Sequence, residues 1–211
     1  MLQKVLLFSP DECAEIIGAL KGLIHHKCGD NYKKHIWPDS PTLLSCSRST
    51  YIRDNAACKV HEGARRLANY GSLLLDINLF YVRWAFPGET RDGNEPLRSK
   101  ILSPGHYDDY KIDSLSVWVT FKDTTPATGS FWWSEDKELI NFYKEKREYQ
   151  LPPYFHENWS KDVEELHSKI NIEYCKAGEA LIFGPDLLHG STTATTQERL
   201  TYDFRLLRSK K

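Results

Sequence analysis

The chain has 211 residues, 40% hydrophobic and 27% charged, with a formal net charge of −1. This is enough apolar chain to bury a core without disulfides or structural metals. The charge balance excludes a global field that would draw the protein to nucleic acid or an anionic membrane.

At the N-terminus the apolar run Val5–Phe8 is too short for a signal peptide, and no stretch nears the ~20 apolar residues of a membrane span. Five cysteines, odd in number and without a CxxC, read as reduced thiols of a cytoplasmic protein. His25, His26 and Cys28 lack a second cluster at zinc spacing and are set aside as ligands.

Ser9-Pro10-Asp11-Glu12 is a helix start, with a capping serine, proline at the first helical position and acids in the first turn. A helix is predicted over 10–24, its apolar face formed by Cys13, Ile16, Ile17 and Leu20. Residues 29–42 read as loop and 46–52 as a short strand. A second helix is predicted over 55–69, with Ala57, Val60, Ala64, Leu67 and Ala68 on one side and Gly71 ending it.

The texture then changes. Residues 76–86 (DINLFYVRWAF) are rich in β-formers and stop at Pro87-Gly88; Tyr81 and Arg83 share one face of that strand. After a polar loop over 90–100, residues 114–121 alternate. Leu115, Val117, Val119 and Phe121 lie on one face, Ser116, Trp118 and Thr120 on the other. A strand at GSFWW (129–133), a charged helix over 136–148, a loop over 151–159 and a short helix over 161–168 follow. The strands INIEYC, EALIFG and RLTYDFRLL (199–207) complete the chain. Helices first and short antiparallel strands after suit a mainly β fold with flanking α-helices, a double-sheet jelly-roll barrel. We read 1–211 as a single domain, with 1–70 as helical support and 75–207 as a jelly-roll core carrying an insertion around 134–178.

His106 and Asp108 stand two apart on an extended segment, so their side chains point the same way. Asp109 points away. A third ligand must come from a distant strand, and FGPDLLHGS supplies His189, 83 residues after His106. Two imidazoles and one carboxylate form the facial set of non-haem Fe(II) oxygenases, although zinc hydrolases use the same donors. Arg199 lies ten residues past His189 and opens a strand with Thr201, Asp203 and Arg205 on one face. Two arginines, a hydroxyl and an acid are costly to bury without a partner. An anion such as the far carboxylate of 2-oxoglutarate would compensate them, gripped bidentately by Arg199 with Thr201 donating. A hydrolase gives Arg199 no role.

HxD, a histidine about eighty residues on, an arginine ten further and a threonine two beyond it together resemble the 2-oxoglutarate/Fe(II)-dependent dioxygenases. HYDDYKIDSLSVWVTFKDTTPATGSFWW and HGSTTATTQERLTYDFRL look most like the phytanoyl-CoA dioxygenase-like branch and its streptomycin-biosynthesis StrG-like members, over roughly 75–207. The resemblance implies a double-stranded β-helix (cupin-like jelly roll). It implies Fe(II) on His106, Asp108 and His189, with 2-oxoglutarate and O2 as co-substrates. Arg199, Thr201, Tyr81 and Arg205 are the candidate 2-oxoglutarate contacts, Arg205 having an ion pair with Asp203 as its alternative role. The implied reaction is decarboxylation of 2-oxoglutarate to succinate and CO2, coupled to hydroxylation of a small molecule. Asp108 sets the chain apart from the halogenase variants, which have a small residue there. Phe131, Trp132 and Trp133 are candidate platforms for a sugar or natural-product intermediate. The competing reading is a non-catalytic cupin-type protein that binds a sugar or small acid. A jelly-roll interaction domain leaves the Arg199/Thr201/Arg205 face unexplained.

Overall fold

A computed structural model describes residues 2–28, 57–74, 81–85, 105–108, 113–148, 169–192 and 194–208. The strand expected at 46–52, the loops at 29–42, 90–100 and 151–159 and the helix at 161–168 lie outside the described residues.

Two antiparallel sheets face each other. The larger runs β1 (Leu2–Leu6), β7 (Glu179–Phe183), β4 (Ser114–Thr120) and β9 (Arg199–Arg208); the outer side of β9 takes β2 (Gly71–Leu73) and β3 (Tyr81–Ala85) in turn. The smaller runs β6 (Asn171–Glu173), β5 (Phe131–Ser134) and β8 (Leu188–Ser191). Neighbours distant in sequence lie side by side, which is how a double-sheet jelly roll buries its edges. β9, the longest strand, is paired with β4 from Ser114↔Leu207 to Thr120↔Thr201.

The alternation read from β4 separates two cores. Val117, Val119 and Phe121 join Leu200, Tyr202, Phe204 and Leu206 on the outer face, under α1 (Pro10–Cys28) and α2 (Ala57–Arg65). Those helices contribute Cys13, Ile16, Leu20, Val60 and Ala64, with Leu67 just beyond α2. Ala68, expected on the same face, is exposed because α2 stops at Arg65 and the chain turns before β2. A capping box holds the start of α1: Glu12 N–H donates to Ser9 Oγ at 3.3 Å and Ser9 N–H to Glu12 Oε2 at 2.7 Å. Arg66 ties this end to α2, pairing with Glu12 and donating to Leu7 O at 2.6 Å.

The other face of β4 and β9 looks between the sheets, where Trp118, Phe131, Leu181, Phe183 and Leu187 pack together. Here too lie Ser116, Thr120, Arg199, Thr201, Asp203 and Arg205, all buried. The stretch 134–178 carries more than an insertion. β6 is a strand of the smaller sheet, and α3 (Lys137–Glu148) packs Leu139 and Tyr143 against Trp132 and Leu188. Among the described residues no helix is long and apolar enough to cross a membrane.

Candidate active site

His106 and His189 are opposite members of one antiparallel bridge. His106 N–H donates to His189 O at 2.8 Å and His189 N–H to His106 O at 3.1 Å. Directly opposed residues project to the same side of a ladder, and the imidazole centroids stand 4.3 Å apart. Two residues along the extended chain, Asp108 returns to that side. Its Oδ1 lies 3.9 Å from His106 Nε2 and 3.8 Å from His189 Nε2. One donor atom from each residue falls within 4.8 Å of the others, the sole such cluster among the described residues.

The surroundings fit a divalent metal. His189 Nδ1 is 2.9 Å from Leu187 O, an arrangement that places the proton on Nδ1 and leaves the Nε2 lone pair facing the cluster. Phe131 stacks on the His189 ring at 5.3 Å and 14°, and Phe183 packs beside it at 4.6 Å, fixing the ring plane. Asp108 is divided in function. Its Oδ2 accepts from Ser116 Oγ and from Arg205 Nη2, the latter at 2.9 Å, and its Oδ1 faces the imidazoles. Burial pushes the Asp108 carboxyl up, but Arg205, His189, His106 and the Ser116 hydroxyl together outweigh it and hold the group below the ordinary value. The carboxylate is therefore ready as an anionic ligand. The His106 side chain is 42% exposed and that of His189 7%, so the cluster opens to solvent past His106.

Arg199 and Thr201 occupy the same inner face of β9. The Arg199 guanidinium is buried and donates from Nη1 to two neutral acceptors, Thr192 O at 3.0 Å and Ser130 O at 3.4 Å. Thr201 Oγ1 is fully enclosed and has no hydrogen-bond partner among the described residues. A buried hydroxyl left this way costs free energy unless a ligand satisfies it, and a carboxylate would. Arg205 reaches Asp108, a partner the sequence did not suggest. Tyr81 stands opposite Asp203 in the β3–β9 ladder, and Arg83 opposite Thr201. Trp118 points inward and lines the cleft beside Phe131 and His189. Of the candidate platform, Phe131 and Trp133 belong to this inner side, whereas Trp132 packs outward beneath α3. Sequence reasoning missed Ser116, whose position on the polar face of β4 was the available signal.

Residues 101–201, which include all three clustered ligands and both Arg199 and Thr201, match the family described as phytanoyl-CoA dioxygenase (PhyH). No curated protein matches the chain. Among solved structures, AviO1 from Streptomyces viridochromogenes is 13% identical with a TM-score of 0.58, covering 98% of this chain and 89% of that one. HygX from Streptomyces hygroscopicus, solved with nickel and 2-oxoglutarate bound, is 15% identical with a TM-score of 0.53, covering 99% and 83%. The non-haem α-ketoglutarate-dependent epimerase SnoN from nogalamycin biosynthesis is 14% identical with a TM-score of 0.52, covering 98% and 77%. These likenesses establish the jelly-roll fold.

Proposed function

We propose that this chain, an Fe(II)- and 2-oxoglutarate-dependent oxygenase of the phytanoyl-CoA dioxygenase type, hydroxylates a small-molecule substrate. Succinate and CO2 are the co-products, and the substrate class is a sugar or natural-product intermediate. The observation that carries the reading is the convergence of His106, Asp108 and His189 with the second oxygen of Asp108 already engaged. These three residues would hold the iron, which when bound supplies the activation of O2 needed to oxidise 2-oxoglutarate and an unactivated C–H bond.

The chain's own residues bind and orient. Arg199 would grip the far carboxylate of 2-oxoglutarate, and Thr201 would donate its otherwise unsatisfied hydroxyl to the same group. Tyr81 is a further proposed contact from β3. Arg205 holds Asp108 and thereby acts through it. Trp118, Phe131 and Phe183 give the buried side an apolar wall that excludes water, leaving the exposed side of His106 for substrate entry. A sugar or natural-product intermediate as substrate is supported by Trp118 and Trp133 on the inner wall and by the nogalamycin-biosynthesis setting printed for SnoN. We place the enzyme in the cytoplasm as one domain. The buried free thiols of Cys13 and Cys175, and the packing of α1 and α2 onto the larger sheet, support this.

The test supplies Fe(II), 2-oxoglutarate and 18O2 with a panel of sugars and natural-product intermediates. A product carrying one labelled oxygen supports hydroxylation. A product isomeric with its substrate would replace hydroxylation by epimerisation. Binding without O2-dependent loss of 2-oxoglutarate would favour the non-catalytic cupin reading.

A further inference from the structure

The segment carrying His106 and Asp108 lies outside every named strand. Among the described residues, its backbone attachment to the smaller sheet is the bridge to His189. The two bridge hydrogen bonds hold the backbone at His106, and Ser116 with Arg205 holds the Asp108 side chain, which leaves the direction of the chain just upstream of His106 to be fixed. The structure places a third attachment one residue upstream. Gly105 N–H donates to Tyr143 Oη at 2.9 Å, and Tyr143 sits on α3, within the stretch that the sequence left without a role.

The outer side of the same bridge is shaped for this attachment. Gly105 and Gly190 flank His106 and His189, and Trp132 lies against both glycines. A Cβ on Gly105 would stand 2.6 Å from Trp132 Cη2 and 2.7 Å from Tyr143 Cζ; one on Gly190 would stand 2.6 Å from Trp132 Nε1. So the imidazoles project from one side of the bridge, while a bare-backbone cradle on the other side admits the indole. Tyr143 in turn packs on Trp132 with centroids 6.3 Å apart, and both residues are buried. α3 is itself anchored at its start, where Asp136 Oδ1 accepts from Leu139 N–H at 2.9 Å.

We propose that Tyr143 is a positioning residue for the metal site: its hydroxyl, held on Trp132, fixes the Gly105–Asp108 segment so that His106 and Asp108 meet His189. The inference rests on the metal reading of that cluster. It assigns to α3 a task in metal retention that lies outside the barrel wall.

Co(II) binding to the full-length apoprotein, followed by calorimetry alongside thermal melts, separates the two claims. The wild type binds one Co(II), and His106→Ala abolishes the binding; a wild type that binds none would overturn the metal reading itself. Tyr143→Phe keeps the ring and removes only the acceptor. Its expected result is a melting temperature near that of the wild type with Co(II) affinity weakened about tenfold, the low end for partners that orient metal ligands. Gly105→Ala keeps the phenol but forces it off the backbone N–H, and is expected to weaken Co(II) by at least as much. If wild type and His106→Ala behave as expected, Co(II) affinity within twofold of wild type in either folded variant overturns the positioning role. A Tyr143→Phe variant that loses stability but retains affinity has the same meaning.

Discussion

Arg205 on β9 and Asp108, almost a hundred residues earlier, form a buried ion pair at 2.9 Å, with Asp108 turning its other oxygen to the two histidines. Breaking a buried pair from one side leaves an uncompensated charge, at a cost of about 3–5 kcal/mol. Arg205→Met is therefore expected to lower the melting temperature sharply and to weaken metal binding in the protein that remains folded. The KM for 2-oxoglutarate of the metal-loaded fraction should change little. A selective rise in that KM with metal affinity intact would return Arg205 to co-substrate binding.

Arg199→Ala has the opposite signature. Hydrogen bonds to a charged group are each worth about 1.5–3 kcal/mol, so the KM for 2-oxoglutarate should rise about 10- to 150-fold with metal affinity unchanged. Steady-state kinetics over a range of 2-oxoglutarate concentrations, paired with metal titration, checks both halves. An unchanged KM would remove Arg199 from the anchor.

Thr201→Val makes a sharper demand. The hydroxyl is buried without a partner among the described residues, and replacing it with a methyl relieves about 1–3 kcal/mol of desolvation cost in the apoprotein. The variant should melt at a higher temperature than wild type and yet bind 2-oxoglutarate several-fold more weakly. Weaker binding together with lower stability would mean that the hydroxyl serves the fold.

Acid stability tests the junction of α1 and α2. The Arg66 hydrogen bond, with help from Ser9, holds the Glu12 carboxyl down from 4.5 to about 2. A depressed folded-state value gives stability that is present above the unfolded value and is lost as pH falls from about 4.5 towards 2. The pair is solvent-screened, so its contribution is under about 1 kcal/mol. Glu12→Gln should lower the melting temperature slightly at pH 7 and flatten its decline across that acid window; a parallel decline in both proteins would contradict the assignment.

The extent to which this site was legible in the sequence follows the range of the interactions. Alternation is local, so β4 and β9 could be split into an aliphatic face and a polar one, and Arg199, Thr201 and Arg205 do face inward. His106 and Asp108 could likewise be paired because two-residue periodicity governs an extended segment, whereas His189, 83 residues on, was reached through its own motif and the family resemblance. Partners across the fold were not. The sequence offered Asp203 as the near neighbour of Arg205, whereas the pair with Asp108 depends on how β9 lies against Ser116. β1 passed as a short apolar run because its ladder partner, β7, lies far along the chain, from Leu2↔Phe183 to Leu6↔Glu179. The periodicity of α3 announced a helix, but nothing local to Tyr143 could reveal Gly105 as its partner.

The most direct test of the central claim is succinate formation from 2-oxoglutarate in the presence of Fe(II) and O2, with wild type and His106→Ala side by side. The expected result is iron- and O2-dependent succinate from the wild type, even at the slow uncoupled rate without substrate, and none from His106→Ala. Equal succinate from both proteins, or none from metal-loaded wild type, would contradict it.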